Sequence, residues 1–290
     1  MLSRAAHQMR VGWSVGLTGR HAVLRRGGLG LVGGVLLTVM ILMAAVAPLI
    51  TVAPNFQTAQ ILASPGGDHW LGTDHLGRDM FSRMVWGSRT TFLVAGLAVT
   101  LGVSVGTIAG LLSGYYRGGT DAVVQRVVDA LIAFPGLVLA MAAIAAFSAN
   151  KLTISLTVGF VLSPGVARIV RGATLATMSH DFIEAAVALG ASNRRIMFQH
   201  VLPNVTAPII VASTVLIGVG VLIESSLSFL GFGLPPPDPT WGQMLSGPGR
   251  VYMLSQPWLA VLPGIAITLT VLCANLFGDS LRDVLDPRLR

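Results

Sequence analysis

The sequence predicts an all-α, polytopic membrane protein with six transmembrane helices. Of 290 residues, 53% are hydrophobic and only 11% charged, and the mean hydropathy is +0.75, whereas a soluble domain carries roughly 25% charged residues. The apolar residues form long runs, and most of the charges gather between those runs.

A bilayer core about 30 Å thick needs about 20 apolar residues in a helix, because unpaired backbone groups are costly in lipid. Leu29 to Ile50, Thr90 to Tyr116, Ala130 to Asn150, Val205 to Ile223 and Trp258 to Gly278 meet that length. A further run, Leu152 to Ala167, is shorter and contains Pro164; Arg168 and Arg171 extend it if they snorkel to the interface. The first run offers Ala45-Val46-Ala47 as a cleavage site, but it follows a long basic leader and Pro48 adjoins the site. It reads as an uncleaved anchor. The expected organisation is a cytoplasmic basic segment 1–28, a first helix 29–51, an external loop 52–89, a core 90–280 and a cytoplasmic tail 281–290.

Net charge is +7, but the basic residues are scattered between apolar runs rather than clustered on one solvated face, so no nucleic-acid partner is expected. Orientation accounts for them. With the N-terminus inside, only Arg78, Arg83, Arg89, Lys151 and Arg250 fall outside, and the other arginines are cytoplasmic. The single cysteine, Cys273, lies in the last run, so no intrachain disulfide or paired-cysteine metal site is available.

The stretch DFIEAAVALGASNRRIMFQHVLPN at 181–204 places acidic and basic residues between two spans, on the cytoplasmic side. Asp181 is expected as an N-cap with Glu184 completing a capping box, giving a short helix from Phe182 to Leu189. Gly190 stops it, Ser192 caps a second short helix through Val201, and Pro203 precedes the next span. Phe182, Ala185, Ala186 and Leu189 are expected on one face, against something apolar. By local reading alone, this elbow either engages a partner or floats on the membrane lipid headgroups.

Gly102, Gly106, Gly110 and Gly114 recur every four residues and align on one helix face, as a packing seam or, alternatively, a glycine-lined path. Glu224 adjoins the fifth run, where a carboxylate at a helix centre costs about 2.5–3.5 kcal/mol, so it is either paired or functional, or else interfacial.

Glu184-Ala185-Ala186, Gly190 and Leu202-Pro203 resemble the EAA loop of ABC-importer permeases, with His200 where the pattern has isoleucine. LGTDHLGRDMFSRMVWGSRT (71–90), GYYRGGTDAVVQRVVDALIAFP (114–135), ESSLSFLGFGLPPPDPTWGQML (224–245) and GDSLRDVLDPRLR (278–290) narrow the resemblance to the C-type permease subunit of the dipeptide/oligopeptide/nickel importer family, over roughly residues 25–290. The resemblance implies a type I ABC importer permease fold in a bacterial cytoplasmic membrane. It implies an elbow over 181–203 that couples to ATPase subunits through Glu184, Ala185, Ala186, Gly190, Leu202 and Pro203. It also implies a second homologous permease subunit, two ATPase subunits or domains binding ATP and magnesium, and an extracytoplasmic substrate-binding protein. Peptides are the expected cargo; nickel complexes, glutathione or another small solute fit the same architecture.

No catalytic or metal-binding residue is expected on this chain, nor any cofactor. The sole lysine, Lys151, follows Asn150 rather than a glycine, which does not fit a Walker A loop. His69 and His75 form no compact ligand motif and read as loop residues. Asp74 and Asp79 are expected to order the external loop, with substrate contact the alternative. The proline- and glycine-rich segment 231–257 is expected to expose Trp241 to the outer interface, where it meets the binding protein, or else Trp241 and Trp258 anchor helix ends. A secondary transporter would show ionisable relays and repeated halves, and Glu224 alone does not supply them. A membrane scaffold would need no path and would give no substrate-dependent signal.

Overall fold

The computed structural model describes residues 28–285. The basic segment expected over 1–28 thus lies outside the described residues except for Gly28, as does the tail beyond Leu285. Helix α1 (Gly28–Ala45) leads into the single turn α2 (Ala47–Ile50), where Pro48 occupies the first turn, a position whose missing N–H is harmless. Close approach fastens α1 to the last helix: a Cβ on Gly33 would lie 2.9 Å from the Cys273 carbonyl oxygen.

The next helix, α3 (Met80–Tyr116), begins ten residues before the expected Thr90 because Asp79 caps it, accepting from the Ser82 N–H at 2.8 Å. The loop expected over 52–89 therefore ends at Asp79, and Arg83 and Arg89 belong to α3. At 37 residues and about 1.5 Å per residue, α3 outruns a bilayer core.

The loop before it is knotted by buried polar groups. Thr73 Oγ1 donates to the Gln60 carbonyl at 2.7 Å. Asp74 Oδ1 accepts from the Leu76 and Arg78 N–H groups, and Oδ2 accepts from Arg78 Nε at 2.6 Å. The buried Arg83 places Nε 3.5 Å from the same oxygen. Asp74 is 2% exposed, so its acceptors are turned inward to the loop. His69 Nδ1 lies 3.0 Å from Asp79 Oδ1. His75 stacks on Tyr252, and burial lowers its imidazole pKa.

The third expected span is not one straight helix. Helices α4 (Gly118–Ala133) and α5 (Gly136–Phe147) meet at 89°. Pro135 causes the break, since the residue before proline is driven out of the helical region and Phe134 is extended at φ −90°, ψ 138°. The expected run from Ala130 to Asn150 is corrected accordingly: its first turn belongs to α4, and the helix stops at Phe147. Counting this bent pair once, the described residues contain six candidate spans.

Helix α6 (Lys151–Thr177) is longer than the expected Leu152 to Ala167 and runs through Pro164. Asn150 caps it by accepting from the Thr153 N–H at 2.8 Å. Arg168 and Arg171 lie within it, as an extension of the run requires, but they pair with Asp129 and Asp121 of α4. Two short helices follow, α7 (Asp181–Ala188) and α8 (Asn193–Arg195). A π-helical stretch (Ile196–Val201) then joins α8 to α9 (Leu202–Phe229) without a break. The expected stop between Val201 and Pro203 is thus absent. Proline removes one helical donor and crowds the carbonyl four residues back, and the wider π turn lies where that strain falls. The Asn204 amide satisfies the His200 carbonyl at 2.6 Å.

Trp241 corrects a further expectation. It opens α10 (Trp241–Val251) and is 1% exposed. Its indole Nε1 donates to the Met84 carbonyl at 3.0 Å and its ring meets Phe92 edge-on. The head of α10 thus packs Trp241 onto α3 rather than presenting it outward. The final helix, α11 (Trp258–Leu285), starts at the half-buried Trp258. One core cluster joins α3, α6 and α9 through Val94, Ile154, Val158 and Leu227, while another seats Trp241, Met244 and Leu259 on Met80.

Candidate functional site

The elbow formed by α7, α8 and the π stretch is held by one apolar side and one glycine. Ile183 turns inward into a buried cluster with Leu111, Val166, Val170, Ile196, Val201 and Val205, and Ala186 is buried on the same side, so α7 rests mainly on the π stretch and through this cluster meets α3, α6 and α9. Burial of Ile183 alone contributes about 2 kcal/mol at this contact. The face expected to contain Phe182, Ala185, Ala186 and Leu189 is therefore divided: Ala186 packs inward and the other three are exposed. Leu189 is 88% exposed and Val187 57%, so an apolar surface faces away from the chain's own core.

The helix ends explain that orientation. His180, not Asp181, is the N-cap residue, and no side-chain capping bond forms. The helix begins one residue earlier than expected, which places Asp181 and Glu184 inside its first turn, where carboxylates favour the positive end of the helix dipole. Gly190 adopts φ +75°. Its N–H donates to Val187 O at 2.9 Å and the Ala191 N–H to Ala186 O at 3.1 Å, a Schellman closure that requires a left-handed residue. Ser192 Oγ then accepts from the Arg195 N–H at 3.4 Å. Tyr115, near the end of α3, donates its hydroxyl hydrogen to Asn193 Oδ1 at 3.1 Å. Leu202 is half-buried and Pro203 exposed in the first turn of α9.

Glu224 lies on the same helix as Pro203 but far from the elbow. It is fully buried within the chain, near the end of α9. Ser228 Oγ donates to Glu224 Oε1 at 2.8 Å, Ser225 Oγ lies 3.4 Å from Oε2, and Thr240 Oγ1 lies 3.4 Å from Ser228 Oγ. Among the described residues no basic side chain pairs with it. These hydroxyls link α9 to the start of α10.

The four stripe glycines face the backbone of α6. An added Cβ would come within 2.7 Å of Gly159 O at Gly102, 2.6 Å of Ser163 O at Gly106, 2.6 Å of Ala167 O at Gly110, and 2.7 Å of Thr174 Cβ at Gly114. Sequence spacing did not single out two other features. One is the set of ion pairs between α4 and α6, whose partners are 39 and 50 residues apart. The other is an apolar cleft of about 670 Å³ between α6, α9 and α11, lined by Ile169, Asn204, Pro208, Val211 and Arg282 among others. Asp121 and Asp129, eight residues apart in a mostly apolar stretch, are the sequence signal for the first.

Long spans, a glycine-sealed helix pair and an elbow at the junction of two spans define a polytopic transport permease. Residues 102–290 match the model of the binding-protein-dependent transport system inner membrane component family. The chain belongs to that family and is a permease subunit of an ABC importer. A dipeptide transport system permease protein of Alkalihalophilus pseudofirmus is 40% identical over 92% of this chain and 88% of its own length. A glutathione transport system permease protein of Pectobacterium atrosepticum is 42% identical over 81% of this chain and 78% of its own. Among solved structures, the MetNI methionine ABC transporter in an inward-facing form shares the fold, with a TM-score of 0.58, 20% identity, and coverage of 71% of this chain and 98% of that one.

Proposed function

We propose that this permease imports peptides and that its elbow is the joint through which separate ATPase subunits drive it. The observation that carries this reading is the outward apolar surface of α7. Phe182, Val187 and Leu189 stay exposed while Ile183 of the same short helix enters a buried cluster shared with α3, α6, the π stretch and α9. A surface so fixed passes a push from a bound partner directly into α6 and α9. Glu184, Ala185, Ala186 and Gly190 form or shape this contact, and Leu202 and Pro203 seat its far end.

The full assembly contains a second permease subunit, two ATPases that bind ATP and magnesium, and an external substrate-binding protein. ATP hydrolysis takes place on the ATPases. The distribution of arginines supports cytoplasmic termini and a cytoplasmic elbow. Alternation between inward- and outward-facing states requires the ATPases to contact the elbow differently in the two states, since equal affinity shifts nothing. The names of the relatives support dipeptides, other peptides or the peptide-like glutathione as cargo.

The test is mass spectrometry of what co-purifies with the tagged chain in mild detergent, for wild type and a Glu184→Arg, Gly190→Pro variant. Proline at 190 removes the donor to Val187 and cannot reach φ +75°. A second permease and ATPases should accompany the wild type, and the ATPases should be depleted from the variant. ATPases retained in full by the variant would refute the joint.

A further inference from the structure

The connection between the elbow and the bent span α4/α5 is polar. Helix α4 has one buried residue, Val128, so apolar packing does little to fix its direction. Its orientation is set by charge. Arg171 of α6 forms a fork on Asp121 of α4, with Nε donating to Oδ1 at 2.7 Å and Nη2 to Oδ2 at 2.6 Å. Ser113 of α3 also donates to Asp121 Oδ1, and Gln125 Nε2 donates to Ser113 Oγ at 2.9 Å. The Arg171 and Asp121 side chains are 33% and 20% exposed, whereas the second pair, Arg168–Asp129, is more than half exposed and holds weakly. A bidentate guanidinium–carboxylate pair fixes direction as well as distance. From Arg171, α6 continues to Thr177, and α7 begins at Asp181, about 15 Å along the chain at helical rise. The elbow, α6 and α4 are therefore joined in series, with this cluster as the stronger of the two links from α6 to α4 ahead of the kink at Pro135.

We propose that Arg171 and Asp121 are positioning residues of the transport cycle: their fork transmits elbow movement from α6 to the α4/α5 bend. The proposal rests on the elbow being the ATPase joint. Its test uses the whole importer, reconstituted with its partner subunits and binding protein in proteoliposomes. Peptide uptake and ATP hydrolysis are measured on the same vesicles for wild type, Asp121→Asn, Arg171→Gln, the double variant and Arg171→Lys.

In each single variant, uptake per ATP should fall about tenfold while the ATPases remain bound. The double variant should be no worse than either single, because both remove one fork. Arg171→Lys, which keeps the charge but loses the planar fork, should fall between wild type and Arg171→Gln. Normal uptake per ATP in the singles, losses that multiply in the double, or failure of the singles to assemble would each overturn the proposal. A wild-type complex lacking ATPases would instead defeat the reading of the elbow itself.

Discussion

Glu224 shows what one side chain does in this bundle. Its carboxyl group lies fully buried among Ser225, Ser228 and Thr240, so removing it leaves hydroxyls without a partner as well as a void. Glu224→Ala is expected to destabilise the purified chain by about 2–4 kcal/mol, combining an unsatisfied group with a cavity. Glu224→Gln keeps an acceptor oxygen and nearly the same volume, and should cost less. Thermal denaturation in detergent should rank wild type above Gln and Gln above Ala; an Ala variant as stable as wild type would show that the cluster contributes nothing. The sequence revealed that Glu224 was unusual, because a carboxyl beside an apolar run is costly. It did not reveal burial, since Thr240 is twelve residues from Ser228 and reaches it only because α10 folds back. The same fold-back hid Trp241, whose proline- and glycine-rich setting resembles a loop while its indole belongs to the core.

At the scale of elements, the glycine stripe of α3 was legible because four-residue spacing projects to one face, and each glycine meets α6 backbone or side chain. Gly106→Leu should therefore separate α3 from α6 and cost about 3 kcal/mol or more, since neither carbonyl nor helix can yield cheaply. Gly96→Leu, on the same helix with nothing within 4 Å of its would-be Cβ, is the control and should be tolerated. Equal thermal stability of the two variants would contradict a packing seam. Helix lengths were less legible. Apolar runs mark what lipid requires, whereas caps such as Asp79 and Asn150 mark where hydrogen bonding lets a helix begin. Pro203 was expected to precede the next span, yet the π stretch carries the helix through it, and α6 passes through Pro164. Among the described residues the one sharp bend within a candidate span falls at Pro135, with Phe134 extended before it.

At the scale of the whole molecule, the bundle carries an apolar surface at the elbow that faces away from its core and a packed polar knot in the loop before α3. The motif pattern placed the elbow correctly along the chain because Gly190 and Ser192 act locally, through φ and a cap. Which side of α7 packs inward depended on Leu111, Val166 and Val205, distant in sequence, and so was not legible. The most direct test of the joint exploits Leu189, at 88% exposure, in a chain whose single cysteine, Cys273, is buried. Leu189→Cys is labelled in native membranes with a benzophenone maleimide, whose photoactivated ketone inserts into neighbouring C–H bonds on irradiation, and the products are identified by mass spectrometry. Cross-linking to an ATPase subunit, with yield that changes when ATP is bound, is the expected result; a Leu189→Cys chain that never links to an ATPase, while uptake proceeds normally, would contradict the account.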